Sequence, residues 1–338
     1  MSSGTCIYCK RQGIPFHREH VMPQAFGTFE QNQFFLYDSV CLECNGFFGR
    51  TLERLFSRDS PEALLRLHYR VKPASKARDI LYQKTTLRVA EPGKWRGAQF
   101  KFVPSEDGTQ VFPEPEPQVG LRKKPAVDWT WFTEDHLSDP NVLLPYKGQT
   151  PGEVDLLIVG SPDEKEKLLA RLAELGVKLN DRHEFAEPVT SGSTILAEID
   201  SRLDVNIFRA VAKIAFNYVA CVCGPDFALQ PDFNEIREYI RDAKQPAWRG
   251  PVVRPVSDPI LFADSREWRQ TNGHLITFDW NLGGLLAQVS LFNSTTYRVL
   301  LCPLYSGLTI DGIPNGHHFD IESRTISPLL SVSRALIP

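Results

Sequence analysis

The sequence predicts an α+β protein: a small cysteine-stapled N-terminal domain, then a larger mixed α/β region that ends in an antiparallel β meander. Three observations lead there. Two Cys-x-x-Cys pairs, Cys6/Cys9 and Cys41/Cys44, stand near the start of the 338-residue chain with 31 residues between them. Helix-like and strand-like segments then alternate through the middle. Beyond residue 260 the segments read as strands joined by tight turns. The length sets an expectation of two domains. A hydrophobic content of 42% with 23% charged residues excludes a disordered chain.

The cysteine pairs come first. Two such pairs offer four thiolates to a tetrahedral Zn²⁺, because each tight turn brings two sulfurs to one edge of the metal. The gap exceeds that of a simple zinc ribbon, so a further element is inserted between the knuckles. Two disulfides or four unrelated thiols are the competing readings. The odd total of seven cysteines and the identical spacing of the pairs weigh against both. Cys221, Cys223 and Cys302 read as buried structural thiols.

Between the knuckles lies His17-Arg18-Glu19-His20-Val21-Met22-Pro23, and the second knuckle runs straight into Asn45, Gly46 and Phe47. An acid directly before a histidine offers a hard oxygen for a divalent cation beside a proton acceptor for water. Asn45, fixed by the knuckle before it, offers an amide oxygen to the same cation. Over Cys6–Glu53 this order and spacing resemble the HNH endonucleases, in the subgroup whose four-cysteine zinc site frames a ββα-metal fold. The resemblance implies His20 as general base, Glu19 and Asn45 as ligands of a catalytic Mg²⁺ or Mn²⁺, and Cys6, Cys9, Cys41 and Cys44 as ligands of a structural zinc. The family's middle Asn has no clean counterpart; Asp38 or Ser39 stands near its place. Glu53, eight residues after Asn45, is a candidate supporting acid, with a surface ion pair as the plainer reading. Arg18, Arg50, Arg54 and Arg58 are the natural phosphate contacts. His17 reads as a surface residue.

The remaining elements follow in order. Strands are expected near Ile14–His20 and Asp38–Cys41, then a helix from about Gly46 to Ser57. A second helix starts at Ser60-Pro61-Glu62, which supplies a cap, a first-turn proline and an acid. The domain boundary falls near residue 78, giving a 1–78 nuclease-like domain and a 79–338 recognition or regulatory region that could divide again near 245–260. Within the latter, Ile80–Arg88, Gln99–Val103 and Trp129–Thr133 read as strands, and Phe112–Gln118 as a Pro/Glu loop. A continuous apolar strand at Val154–Gly160 leads to a helix from Ser161 to Leu175, closed by Gly176. A strand at Thr194–Asp200 precedes a long helix from Asp204 to Cys223, and a shorter helix covers Phe233–Arg241. Asn272-Gly273 signals a hairpin joining Trp268–Thr271 to His274–Trp280. Strands at Leu285–Phe292 and Thr296–Pro303 complete the meander, and His317-His318 falls in a Gly-rich loop.

Charge narrows the partner. Residues 1–90 carry 13 Lys+Arg against 8 Asp+Glu, whereas the rest carry 25 against 33. A basic head on an acidic body suggests that one end meets a polyanion. The longest apolar run, Ile214–Cys223, is too short to span a bilayer, and no secretory leader is visible at the N-terminus. The expected setting is cytoplasmic, with no membrane. The reading is a metal-dependent endonuclease hydrolysing DNA rather than RNA, with a body that senses a regulatory ligand or protein partner. By analogy of architecture the setting is restriction or antiviral defence. The alternative is a zinc-ribbon module that binds nucleic acid without cutting it.

Overall fold

The computed structural model describes residues 4–29, 34–150, 152–178, 184–185, 196–256, 273–281, 284–303 and 315–329. The chain forms two compact units, residues 1–72 with 203–338 and residues 73–202. This differs from a division at 78/79: the chain leaves the first unit near residue 72 and rejoins it at 203.

β1 (Glu19–His20) and β2 (Phe35–Leu36) pair antiparallel, with His20 opposite Phe35. α1 (Leu42–Phe48), a π-helical turn (Gly49–Glu53) and α2 (Arg54–Arg58) follow as one helical run, and then comes α3 (Pro61–His68). The run starts four residues earlier than expected because Cys41 is its N-cap, with its sulfur accepting from the Cys44 N–H. The second knuckle is therefore the first turn of the helix. The strand expected at Asp38–Cys41 is instead a turn, since Asp38 takes a left-handed φ of 52°. The first expected strand is reduced to β1 and a bridge between Phe16 and Cys41. Ser60 caps α3 by accepting from the Ala63 N–H, as its sequence predicts.

The second unit holds β3 (Thr85–Val89), β4 (Gln99–Pro104), β5 (Val111–Pro115), β6 (Gln118–Lys123), β7 (Thr130–Thr133), β8 (Val154–Val159), α4 (Pro162–Glu174), β9 (Glu184–Phe185) and β10 (Ala197–Ser201). They make two four-stranded sheets, ordered β10-β3-β4-β5 and β7-β6-β8-β9. The expected Phe112–Gln118 loop is largely strand. Pro113 and Pro115 lie on β5, at a sheet edge, where a missing N–H costs the ladder little. α4 opens with a capping box between Ser161 and Glu164. It buries Leu168 and Leu172 with Val119, Leu121 and Ile158 of the second sheet.

The chain then returns to the first unit as α5 (Val205–Cys223), α6 (Pro225–Ala228), α7 (Asn234–Asp242), β11 (Val253–Val256), β12 (Gly273–Asn281), β13 (Gly284–Leu291), β14 (Thr295–Cys302), β15 (Gly316–Asp320) and β16 (Ile326–Pro328). The six strands form one antiparallel sheet ordered β11-β14-β13-β12-β15-β16, whose centre is the expected C-terminal meander. The first hairpin strand, Trp268–Thr271, lies outside the described residues. His317 and His318 sit on β15, not in a loop: Gly316 lets the strand press onto β12, where a Cβ would clash with the Ile276 carbonyl oxygen.

α5 organises this unit. Every residue from Arg209 to Ala220 is buried, so all faces of the helix are covered. It packs on β11, β13 and β14 and also on α2 and the π turn. By length and composition α5 is apolar enough to cross a membrane, yet 72% of its most apolar window is buried within the protein. One continuous core joins Ile7, Phe26, Phe48 and Phe56 to Ile214, Phe216, Val289 and Phe319. The head therefore has no hydrophobic core of its own.

Buried His274 on β12 makes stability pH-dependent. Its Nδ1 accepts from the Phe292 N–H at 3.2 Å, and its Nε2 faces the Phe26 carbonyl oxygen at 2.8 Å, which requires the neutral Nε2–H ring. Burial, partly offset by the Phe26 carbonyl and reinforced by His318, pulls its pKa to about 4 from an ordinary 6.5. The folded value lies below the unfolded one. The stability is thus whole above 6.5 and declines as pH falls toward 4, by on the order of 3 kcal/mol. Urea unfolding at pH 7.5 and pH 4.5 is expected to show this loss, and His274→Gln to flatten it. An unchanged slope in the variant contradicts the assignment.

Candidate active site

The two cysteine pairs come together as the spacing implies. The four sulfurs of Cys6, Cys9, Cys41 and Cys44 lie within 4.8 Å of one another, a compact group able to hold a structural metal such as zinc. Cys9 Sγ and Cys41 Sγ are 3.7 Å apart, far beyond a disulfide bond. Four Zn–S bonds of about 2.3 Å in a tetrahedron place sulfurs about 3.8 Å apart, so the group fits the ion. Backbone N–H groups of Cys41 and Cys44 donate to Cys6 and Cys41 Sγ at 3.4 Å. Arg11 Nε donates to Cys9 Sγ at 3.3 Å. The Cys44 thiol is pushed far up, first by its hydrogen bond with Cys6 and then by burial.

From this frame Asn45 projects toward β1. Its Nδ2 donates to Glu19 Oε2 at 2.6 Å, which leaves its amide oxygen for another partner. Glu53 reaches the same place through the π turn. In an unbroken α-helix eight residues leave Glu53 about 80° around from Asn45. The wider turn at Gly49–Glu53 takes up that rotation and returns Glu53 to the Asn45 side.

A residue that motif reading did not find completes the cluster. Lys213 of α5, fully buried, donates to Glu19 Oε1 and to Glu53 Oε1, the latter at 2.6 Å. Burial alone would pull its pKa down, but the charges and hydrogen bonds of Glu19 and Glu53 prevail and hold it above the ordinary lysine value. Glu19, 5% exposed, has its carboxyl raised by burial against the opposing charge of Lys213. Asn217, one turn along α5, donates to Glu19 Oε1 at 3.1 Å and to the His20 carbonyl at 3.2 Å. It accepts from the Tyr8 hydroxyl at 2.6 Å. The same helix face carries Arg209, whose guanidinium donates to the carbonyls of Tyr239, Ile240 and Arg241 at the end of α7. Arg237 of α7 in turn donates to the carbonyls of Ile7 and Ala228. The sequence did carry a signal for this face. Arg209, Lys213 and Asn217 recur every four residues in an apolar helix, and such groups are buried only when partnered.

His20 points from β1 into an open groove of about 540 Å³. That groove is also lined by Glu19, Asn45 and Glu53, and by all four expected phosphate contacts, Arg18, Arg50, Arg54 and Arg58. His17, exposed as expected, borders it too. Asp38 is not among the lining residues. Arg50 lies along the helix over Gly46, where a Cβ would sit 3.1 Å from its guanidinium. Burial, then the Arg18 charge, lowers the His20 pKa below its ordinary 6.5, so the ring is neutral at neutral pH. Its Nε2 lies 2.9 Å from the amide nitrogen of Gln24, which can only donate. This pairing places the ring proton on Nδ1 and the lone pair on Nε2.

No family model, no curated protein and no solved structure matches this chain.

Proposed function

We propose that the protein is a metal-dependent endonuclease of the HNH type, cutting the phosphodiester backbone of DNA. One observation carries the reading: a neutral histidine whose lone pair is met only by the exposed Gln24 amide, two acidic side chains and an asparagine amide meet in a groove bordered by four arginines. The β1, β2 and α1 order with a four-sulfur frame agrees with the resemblance seen in Cys6–Glu53.

The arginines bind the strand through its phosphates and so fix register without reading sequence. A water entering the groove takes the place of Gln24 at His20 Nε2. As its oxygen attacks phosphorus, its proton passes to His20. The bond to the 3′ oxygen breaks, leaving a 5′-phosphate and a 3′-hydroxyl that takes up a proton. Glu19 and Asn45, with Glu53 beside them, would hold Mg²⁺ or Mn²⁺ once the Asn45 amide oxygen takes the place of the Nδ2 that now donates to Glu19 Oε2. Such an ion, when bound, neutralises charge on the phosphoryl and leaving oxygens. Lys213 and Asn217 both hold Glu19 by its Oε1, so the chemistry depends on α5 as well as on the head.

Supercoiled plasmid is expected to convert to open circle in Mg²⁺ or Mn²⁺ and to stay intact in EDTA. Tight binding with no nicking under any divalent ion would favour the non-cleaving zinc module instead.

A further inference from the structure

Beside the groove lies a second, smaller cavity of about 190 Å³. It shares Arg18, His20 and Gln24 with the groove, and half of its other lining residues are phenylalanines. Phe29 and Phe34 stand edge-on to Phe319 of β15, with ring centroids 5.4 and 5.2 Å away. Phe35 closes the side toward the groove: the His20 ring meets it edge-on at 4.7 Å, and the Arg18 guanidinium lies 4.6 Å above its centroid. Phe29, Phe34 and Phe35 line the cavity and are only partly buried, Phe34 also stacking on Tyr218 with ring centroids 6.0 Å apart. Gly27 leaves room for the Phe29 ring, which a Cβ there would meet at 3.0 Å. Thr28 and Gln24, both exposed, add a hydroxyl and an amide at the rim.

We propose that this cavity is a nucleobase pocket, which receives one unpaired base of the DNA strand whose phosphates lie in the arginine groove. The inference rests on the nuclease reading for the identity of the strand. Three features select the occupant. The volume is below the about 300–1,000 Å³ of pockets for drug-sized ligands, so it suits a single planar ring system. Aromatic walls with a polar rim are how bases are held outside a duplex, by stacking on the ring face and hydrogen bonds at its edge. Arg18 belongs to both spaces, so a phosphate on Arg18 puts its own nucleotide beside the cavity mouth. A paired base cannot enter, because its faces are already stacked. The site therefore prefers single strands, bulges or frayed ends to intact duplex.

The test uses short single strands without added divalent ion. One strand carries a single 2-aminopurine flanked by abasic sites, and a control strand is abasic throughout. The expected result is quenching of the 2-aminopurine and binding about 5- to 150-fold tighter than the abasic control. Phe34→Ala should abolish both the quenching and the preference, while the phosphate-driven salt dependence stays the same. Thr28→Trp, which fills the mouth from an exposed loop position, should do likewise without disturbing the core. Equal binding of the two strands by wild type, or an unaltered preference in Thr28→Trp, would overturn the pocket. The two readings fail separately. Base-dependent binding without cleavage in Mg²⁺ rejects the nuclease and keeps the pocket. Cleavage that ignores the base rejects the pocket and keeps the nuclease.

Discussion

Lys213→Met is expected to cost about 3–5 kcal/mol of stability, the penalty of leaving buried charge without its partner. Against a total of about 5–15 kcal/mol for a typical domain, this loss brings the first unit close to unfolding. Methionine keeps the stem volume and removes only the ammonium. Glu19, at 5% exposure, then faces Glu53 with no cation between them. The defect should carry a pH signature. Burial already raises the Glu19 carboxyl, and loss of Lys213 raises it further, so the unfolded chain gives up that proton more readily than the folded one. The deficit is thus small at pH values where Glu19 is protonated and grows as pH rises through the carboxylate range. Urea midpoints of wild type and Lys213→Met at pH 5 and pH 8 measure it. Adding Glu53→Gln should restore part of the loss, because the two sites share one network. A Lys213→Met midpoint equal to wild type at pH 8 would mean that the cluster holds nothing together.

Metal removal is the second large effect. Cys6, Cys41 and Cys44 are at most 2% exposed, and Ile7 and Tyr8 beside them belong to the shared core. Structural zinc sites contribute about 10–16 kcal/mol of apparent binding energy, which in small sites is folding energy. The purified protein is expected to hold one zinc per chain by elemental analysis. Prolonged chelation should lower the thermal midpoint and expose thiols to a colorimetric reagent. Cys44→Ser should bind zinc more weakly and behave like the chelated protein. A metal-free protein whose melting is indifferent to chelator would remove zinc from the account.

What could be read from the sequence was what is local in it. The four cysteines, Glu19, His20, Asn45 and the arginines stand within about fifty residues, in spacings that chemistry itself restricts. The caps at Ser60 and Ser161 and the span of α5 were legible for the same reason. The polar positions of α5 mark Lys213 as partnered but not by what, because Glu19 is 194 residues away and only the tertiary fold brings them together. The role of Glu53 depended on a π turn that no propensity announces. β5 read as a loop because its two prolines look like breakers, and only its place at a sheet edge makes them acceptable. The unit boundaries were hidden for a related reason. The sequence shows where the N-terminal motif ends, but not that its apolar face is covered by a helix from the other side of residues 73–202.

The most direct test of the central claim is single-turnover cleavage of a DNA strand in Mn²⁺ by wild type and His20→Ala, each with its zinc content and thermal midpoint verified. His20 faces the groove and its ring makes none of the hydrogen bonds of Glu19 or Lys213, so the variant should fold, and single-turnover rates at saturating protein remove any change in DNA affinity that comes from the ring's place in the cavity wall. Loss of the proton acceptor is expected to slow cleavage by about 10²- to 10⁴-fold. A folded His20→Ala that cuts at the wild-type rate would contradict the account, because the chemistry would then lie somewhere other than this groove.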